Sequence, residues 1–254
     1  MPFNFVQILT DSWNFIRNQK QQFLFFLILT SLVQLGTSFI MQQFFGDSSI
    51  TELQQQLTNS QEMQSPALGI LYLSLFSGLF SLLLNLCFFL SVDNTSVGRQ
   101  HTFQQLFLTA LKKLPTFLLI YLITFFPVTL FASSSLVVTS STGQLSFFLI
   151  IGLIFTLFFL IRLCLFPYAY LIENERLSQL FKKLWEHSKG HFSSLFLFFI
   201  LAFFLPNALN FSLAKSGIPT LIIIPVINGL ELFSLVLTYR FYTLFRQQAN
   251  WSKA

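Results

Sequence analysis

Glu231 is the residue whose position most needs a chemical explanation. It lies about twelve residues into the apolar run 218–239, near the middle of a segment of bilayer length. A charged side chain is costly there, so it should turn inward to a partner or a wet cleft. Asn228 stands one helical turn before it, and Arg240 about two and a half turns after it. Asn85, Asn207 and Asn210 are further carboxamides inside apolar runs. These groups could form a proton relay or a cleft for a polar headgroup. The alternative is a single packing contact through a neutral, hydrogen-bonded carboxylic acid. Arg162 ends an uncharged run of seventeen residues, 145–161. Its long side chain is expected to snorkel to lipid phosphates, with Glu231 as the alternative partner.

The other reactive residue types assemble no recognisable centre. His187 and His191 have the i,i+4 spacing of a metal pair, but no third ligand follows and Gly190 interrupts the helix between them. His101 stands alone in a polar turn. Cys87 and Cys164 lie within apolar runs and read as small buried side chains, giving neither a disulfide framework nor a metal set. No zinc-protease, nucleophile-elbow, phosphate-loop or dinucleotide pattern is present. The expectation is a non-enzymatic protein without cofactor or metal. Transport is the competing class, because Pro127, Pro206 and Pro225 could break three spans around a midplane site. They could equally be ordinary kinks.

The elements that would position these groups are membrane spans. The 254 residues are 54% hydrophobic and 9% charged, with 36 Phe, against about 25% charged in soluble domains. Run 145–166 is about 33 Å long as helix, which matches a bilayer core of roughly 30 Å. Further runs at 23–45, 67–90, 116–136, 191–213 and 218–239 bring the spans to six. The fourth is expected to continue past Pro167 to residue 172 as a kinked extension. In the second, Ser74 with Gly78 and Ser77 with Ser81 have the small-xxx-small spacing that permits close helix contact. The fold class is therefore all-α, a single six-helix membrane domain. Three amphipathic stretches precede pairs of spans. Residues 3–18 place Phe3, Val6, Leu9, Trp13 and Ile16 on one face, residues 102–114 end at a break marked by Pro115, and residues 173–189 end at Gly190. Polar turns are expected at 92–99 and 133–143, and Ser49 with Glu52 suggests a capped short helix in the polar excursion 46–65. The N-terminal region has no cleavage pattern of a signal peptide, so the first run reads as a retained anchor.

Charge sets the orientation. Twelve Lys or Arg lie on the side holding both termini, and one, Lys215, lies opposite. The positive-inside rule then places both termini in the cytoplasm. The net charge of +5 points to anionic lipid headgroups rather than nucleic acid, because the cations flank hydrophobic runs. Arg17, Lys20, Lys112, Lys113, Lys182, Lys183, Arg240 and Arg246 are the expected headgroup contacts. The order amphipathic helix, hinge, two spans occurs three times, over 1–92, 98–172 and 173–246, which predicts a threefold internal repeat with a cytoplasmic collar of three helices.

With the segments placed, the sequence resembles the UPF0259 (YciC-like) family of bacterial inner-membrane proteins. The likeness begins at Asp11-Ser12-Trp13-Asn14-Phe15-Ile16-Arg17-Asn18-Gln19 and continues at Phe76-Ser77-Gly78-Leu79 and at the Pro167 exit of span four. It is sharpest in Arg240-Phe241-Tyr242-Thr243-Leu244-Phe245-Arg246-Gln247. The resemblance covers essentially the whole chain. It implies an integral inner-membrane protein with six spans and no settled molecular function. Glu231 stands where the family carries a small residue. The family is also distantly similar to membrane regions attached to some glycerophosphodiester phosphodiesterases; the soluble catalytic barrel of those enzymes has no counterpart here, so their activity is not carried over.

Overall fold

The computed structural model describes residues 3–45, 65–142, 147–173, 175–216 and 218–248. Helix α1 spans Phe5–Asn18, α2 Lys20–Phe45, α3 Ser65–Ser96 and α4 Phe103–Thr142. Next come α5 (Phe147–Leu163), α6 (Phe166–Ile172) and α7 (Leu177–Ser188). Helix α8 (Phe192–Phe199) passes through a π-helical turn, Ile200–Phe204, into α9 (Leu205–Ala214), and α10 spans Thr220–Gln248. Among the described residues six helical stretches are long and apolar enough to cross a membrane, the fourth and fifth being the composites around α5–α6 and α8–α9.

The last helix is the axis. Helix α10 packs against α1, α2, α3, α6 and the α8–α9 span, while α2–α3, α3–α4 and α4–α5 pair in sequence order. One core cluster gathers Ile8, Ile161, Leu184, Phe198, Phe241 and Phe245 where α1 and α7 meet the end of α10. There Phe198 stacks on Phe241 with ring centroids 4.3 Å apart. A second cluster joins Phe26, Phe88, Phe89, Phe117, Tyr168 and Leu232. The outward surface is as oily as the interior: Phe39, Phe76 and Leu221 are 67%, 69% and 69% exposed. Apolar surface on this scale is stable only in contact with lipid. The chain is therefore a multi-pass helical membrane protein.

Local chemistry sets the element ends. Asn4 caps α1, its Oδ1 accepting the Gln7 N–H at 3.2 Å. Gln19 alone separates α1 from α2, and Gly190 lies in the turn between α7 and α8. Pro167 sits in the first turn of α6, where its missing N–H costs little, so span four breaks at Cys164–Leu165 and resumes as the expected extension.

Five expectations are corrected. Pro115 does not end a helix: α4 runs through it for 40 residues, about 60 Å, so 103–114 is continuous with span three rather than a separate helix. A proline costs one backbone hydrogen bond, which neighbouring helices can compensate, and a helix about twice the thickness of a bilayer core leaves Lys112 free to stay at headgroup level. The same helix reaches Thr142, so residues 133–142 of the uncharged turn anticipated at 133–143 are helical. Helix α3 likewise continues through Asp93 to Ser96, shortening the polar turn at 92–99 to a few residues around Gly98. Gly78 makes no close helix contact, since a Cβ placed there would meet nothing within 4 Å; the link at this level is Thr37 donating to Ser77 Oγ at 3.1 Å. In α1 the buried face is Ile8, Ser12 and Phe15; of the expected face, Phe3, Leu9 and Ile16 pack partly buried against the core, whereas Val6 and Trp13 point outward. The aromatic end of α10 decides this, because Phe3 and Phe5 both meet Phe241. The suggested cap at Ser49 and Glu52 lies outside the described residues.

Candidate functional site

Span five builds one wall of a cleft through a proline. Pro206 has no N–H to give the carbonyl four residues back, that of Ala202. The helix widens by a π turn at this point, with the Leu205 N–H bonding Ile200 instead. The stranded Ala202 carbonyl receives the hydroxyl of Ser234 from α10. Asn207, one residue beyond the proline, donates Nδ2 to the Phe203 carbonyl at 2.7 Å. The widened turn so fixes spans five and six together where both carry polar side chains.

Beside this turn is a cavity of about 250 Å³ lined by Asn85, Tyr121, Tyr168, Asn207, Asn210 and Glu231. Glu231 is half-buried, and the Asn85 side chain is its hydrogen-bonding neighbour. Asn207 is exposed and flanked by exposed Phe204 and Leu205, so the mouth lies on the lipid-facing side of span five. The lining offers one carboxylate, three carboxamides and two phenols to whatever enters. No Lys, Arg or His is among the lining residues.

The structure thus brings Glu231, Asn85, Asn207 and Asn210 together and separates the other two members of the sequence set. Asn228 is 1% exposed and donates Nδ2 to Ser31 Oγ of α2 at 3.2 Å, tying those helices away from the cleft. Arg162 reaches neither Glu231 nor the lipid surface. It is 6% exposed, donates Nε to Ser188 Oγ at 2.7 Å and a terminal nitrogen to the Trp185 carbonyl, and lies 3.7 Å from the Trp185 ring centroid. A guanidinium is weakly hydrated and stacks well on indole, so a ready-made aromatic and carbonyl partner replaces the snorkelled position. Tyr121 and Ser234 escape the sequence reading, and Tyr168, which its place in the extension past Pro167 would put at headgroup level, is 8% exposed and lines the cleft instead; the one usable signal for Ser234 is the carbonyl that Pro206 must orphan.

The basic residues divide as well. Arg17, Lys20, Lys112 and Lys182 are exposed. Lys113 donates to the Leu171 carbonyl at 2.6 Å, and Lys183 pairs with Glu175 at 2.6 Å. Arg246 pairs with Glu173 at 3.2 Å, which also accepts the Tyr242 hydroxyl at 2.9 Å. Arg240 lies over Phe15 at 5.2 Å. Among the described residues no group of three or more His, Cys, Asp or Glu could hold a metal ion.

Fold and cleft define a six-span membrane protein with a polar recess in its apolar bundle. An uncharacterized protein of Haemophilus influenzae is similar to it, 27% identical over 256 residues, an alignment covering 96% of this chain and 99% of that protein. No protein family profile matches the chain. No solved structure matches it either.

Proposed function

We propose that this is a non-enzymatic protein of a bacterial inner membrane, of the UPF0259 type, acting in envelope or lipid homeostasis, with both termini in the cytoplasm. Its Glu231 cleft receives the polar part of an amphiphile, which favours lipid handling or translocation over a purely mechanical scaffold. The observation that carries this reading is the convergence of Glu231, Asn85, Asn207 and Asn210 on one recess with a mouth toward lipid. Polar groups inside a bilayer are expensive to keep, and a bundle needing only packing would fill the recess with leucine. The exposed cations Arg17, Lys20, Lys112 and Lys182 would hold anionic headgroups, each contributing about 1 kcal/mol near the surface.

The test is reconstitution into vesicles carrying headgroup-labelled lipid, with transbilayer movement read by a membrane-impermeant quencher. Wild-type protein should speed the movement or retain the labelled lipid through purification, and Glu231→Ala should lose most of that effect. Identical movement and retention in wild type, Glu231→Ala and protein-free vesicles would return the molecule to the scaffold class.

A further inference from the structure

A second cavity, distinct from the Glu231 cleft, lies at the basic end of the bundle. It is an open groove of about 580 Å³ between the start of α2 and the turn from α3 to α4, with Arg99, Gln100 and His101 exposed. Its walls are Gln19 and Gln22 from one side, Ser91, Asn94 and Thr95 from α3, and Arg99, Gln100 and His101 from the turn. A side chamber of about 190 Å³ shares Asn94, Arg99 and His101, and adds Lys113 and Asp93.

The turn that carries Arg99 and His101 is built rather than loose. Gly98 has φ +75°, a left-handed conformation suited to glycine. With it, the Gly98 N–H bonds the Thr95 carbonyl at 3.2 Å and the Arg99 N–H bonds the Asn94 carbonyl at 2.9 Å, closing the end of α3. Three residues later Thr102 and Gln105 cap α4 reciprocally, each side chain accepting the other's backbone N–H at 3.4 and 3.3 Å. On the opposite wall Gln22 bonds Ser91, and Thr95 donates to Gln22 Oε1 at 3.3 Å.

The larger chamber is lined by basic and neutral residues. Its lining holds Arg99 and His101 and no acidic residue. Helix α4 starts beside it at Phe103, and helix N-termini favour anions; the start of α2 at Lys20 follows the end of α1 directly and adds little. The α3 end that also points here has its carbonyls taken up by the Gly98 turn. Asp93, in the side chamber, has the Tyr239 hydroxyl as hydrogen-bond partner and Lys113, Arg99 and Arg246 as nearby opposite charges, so it offsets part of the Arg99 charge without lining the larger chamber. Neutral amides and hydroxyls line the remainder, as suits a group with several acceptor oxygens.

We propose that this chamber binds a phosphate group, with Arg99 as its principal contact and His101, Gln22 and Asn94 as hydrogen-bonding neighbours. Its place at the end of spans one to three is the level at which lipid phosphates lie, so the phosphate belongs to a phospholipid headgroup or to a free phosphate drawn from the adjoining solution. The proposal does not rest on the Glu231 cleft.

Full-length protein tests it in two arms. In nanodiscs made from equal parts phosphatidylglycerol and a phosphate-free glucosyl diacylglycerol, lipid retained after delipidation is quantified. In maltoside micelles, potassium phosphate is titrated against potassium chloride at matched ionic strength, and the melting temperature is followed. Arg99→Gln should reduce the phosphate-dependent signal about tenfold, as expected for losing a charge-assisted contact, Arg99→Lys should keep part of it, and Lys189→Gln should leave it unchanged. Enrichment of phosphatidylglycerol identifies a headgroup; a phosphate-specific rise in melting temperature without enrichment identifies a free phosphate. Signals absent from both arms in a wild-type protein that melts cooperatively, or equal loss in Arg99→Gln and Lys189→Gln, would overturn the assignment.

Discussion

Ser234 shows how one side chain can answer a defect made in another helix. Its hydroxyl bonds the Ala202 carbonyl that Pro206 leaves without a partner. Ser212 makes only the common bond back to its own helix, to Ala208 at 2.9 Å. Removing the Ser234 hydroxyl should therefore cost about 1 kcal/mol of stability, within the range found for hydrogen bonds between membrane helices, while Ser212→Ala should cost almost nothing. Unfolding of the two variants in mixed micelles measures this, and equal effects would mean that the inter-helix bond has no special weight. Glu231, Asn85, Asn207 and Asn210 are legible in the sequence because a carboxylate or carboxamide is conspicuous in a run of Phe, Leu and Ile. Tyr121 and Tyr168 are not, since a tyrosine in such a run reads equally as core or interface. Ser234 becomes legible only when the proline rule for span five is combined with knowledge of which helix lies beside it.

At the scale of elements, periodicity locates the helices well and their breaks less well. Pro115, Pro167 and Pro206 are one residue type with three outcomes: a continuous helix, a first-turn position after a break, and a π turn. The sequence around each proline states that a hydrogen bond is lost; the neighbouring helices decide how the loss is absorbed. The face of α1 follows the same logic, because both Val6–Trp13 and Ile8–Phe15 are apolar and the aromatic end of α10 selects between them. Pro206→Ala restores the missing N–H, so the π turn should close into α-helix and swing positions beyond it by about 100° relative to α8. With Asn207→Cys as a reporter, reactivity toward a small thiol reagent should change several-fold on adding Pro206→Ala. Unchanged labelling would show that the cleft does not depend on the widened turn.

For the whole molecule, six spans put both termini on one face, and the distribution of Lys and Arg is the ground for proposing that this face is cytoplasmic. Reporters fused after residue 254 and before residue 1 should both signal the cytoplasm, and a reporter inserted beside Lys215 should signal the opposite compartment; termini on different faces would break the six-span arrangement. Span number is legible because apolar length is a simple physical quantity, whereas the order of packing around α10 depends on ring contacts that no single segment encodes. The order of synthesis gives the Arg162 contact a further meaning. Its partners follow it in the chain by 23 residues at Trp185 and 26 at Ser188. As the protein leaves the ribosome, the guanidinium reaches the membrane before Trp185 and Ser188 have emerged. Span four must wait at the phosphate level, or in the insertion channel, until the seventh helix arrives to seal it in place.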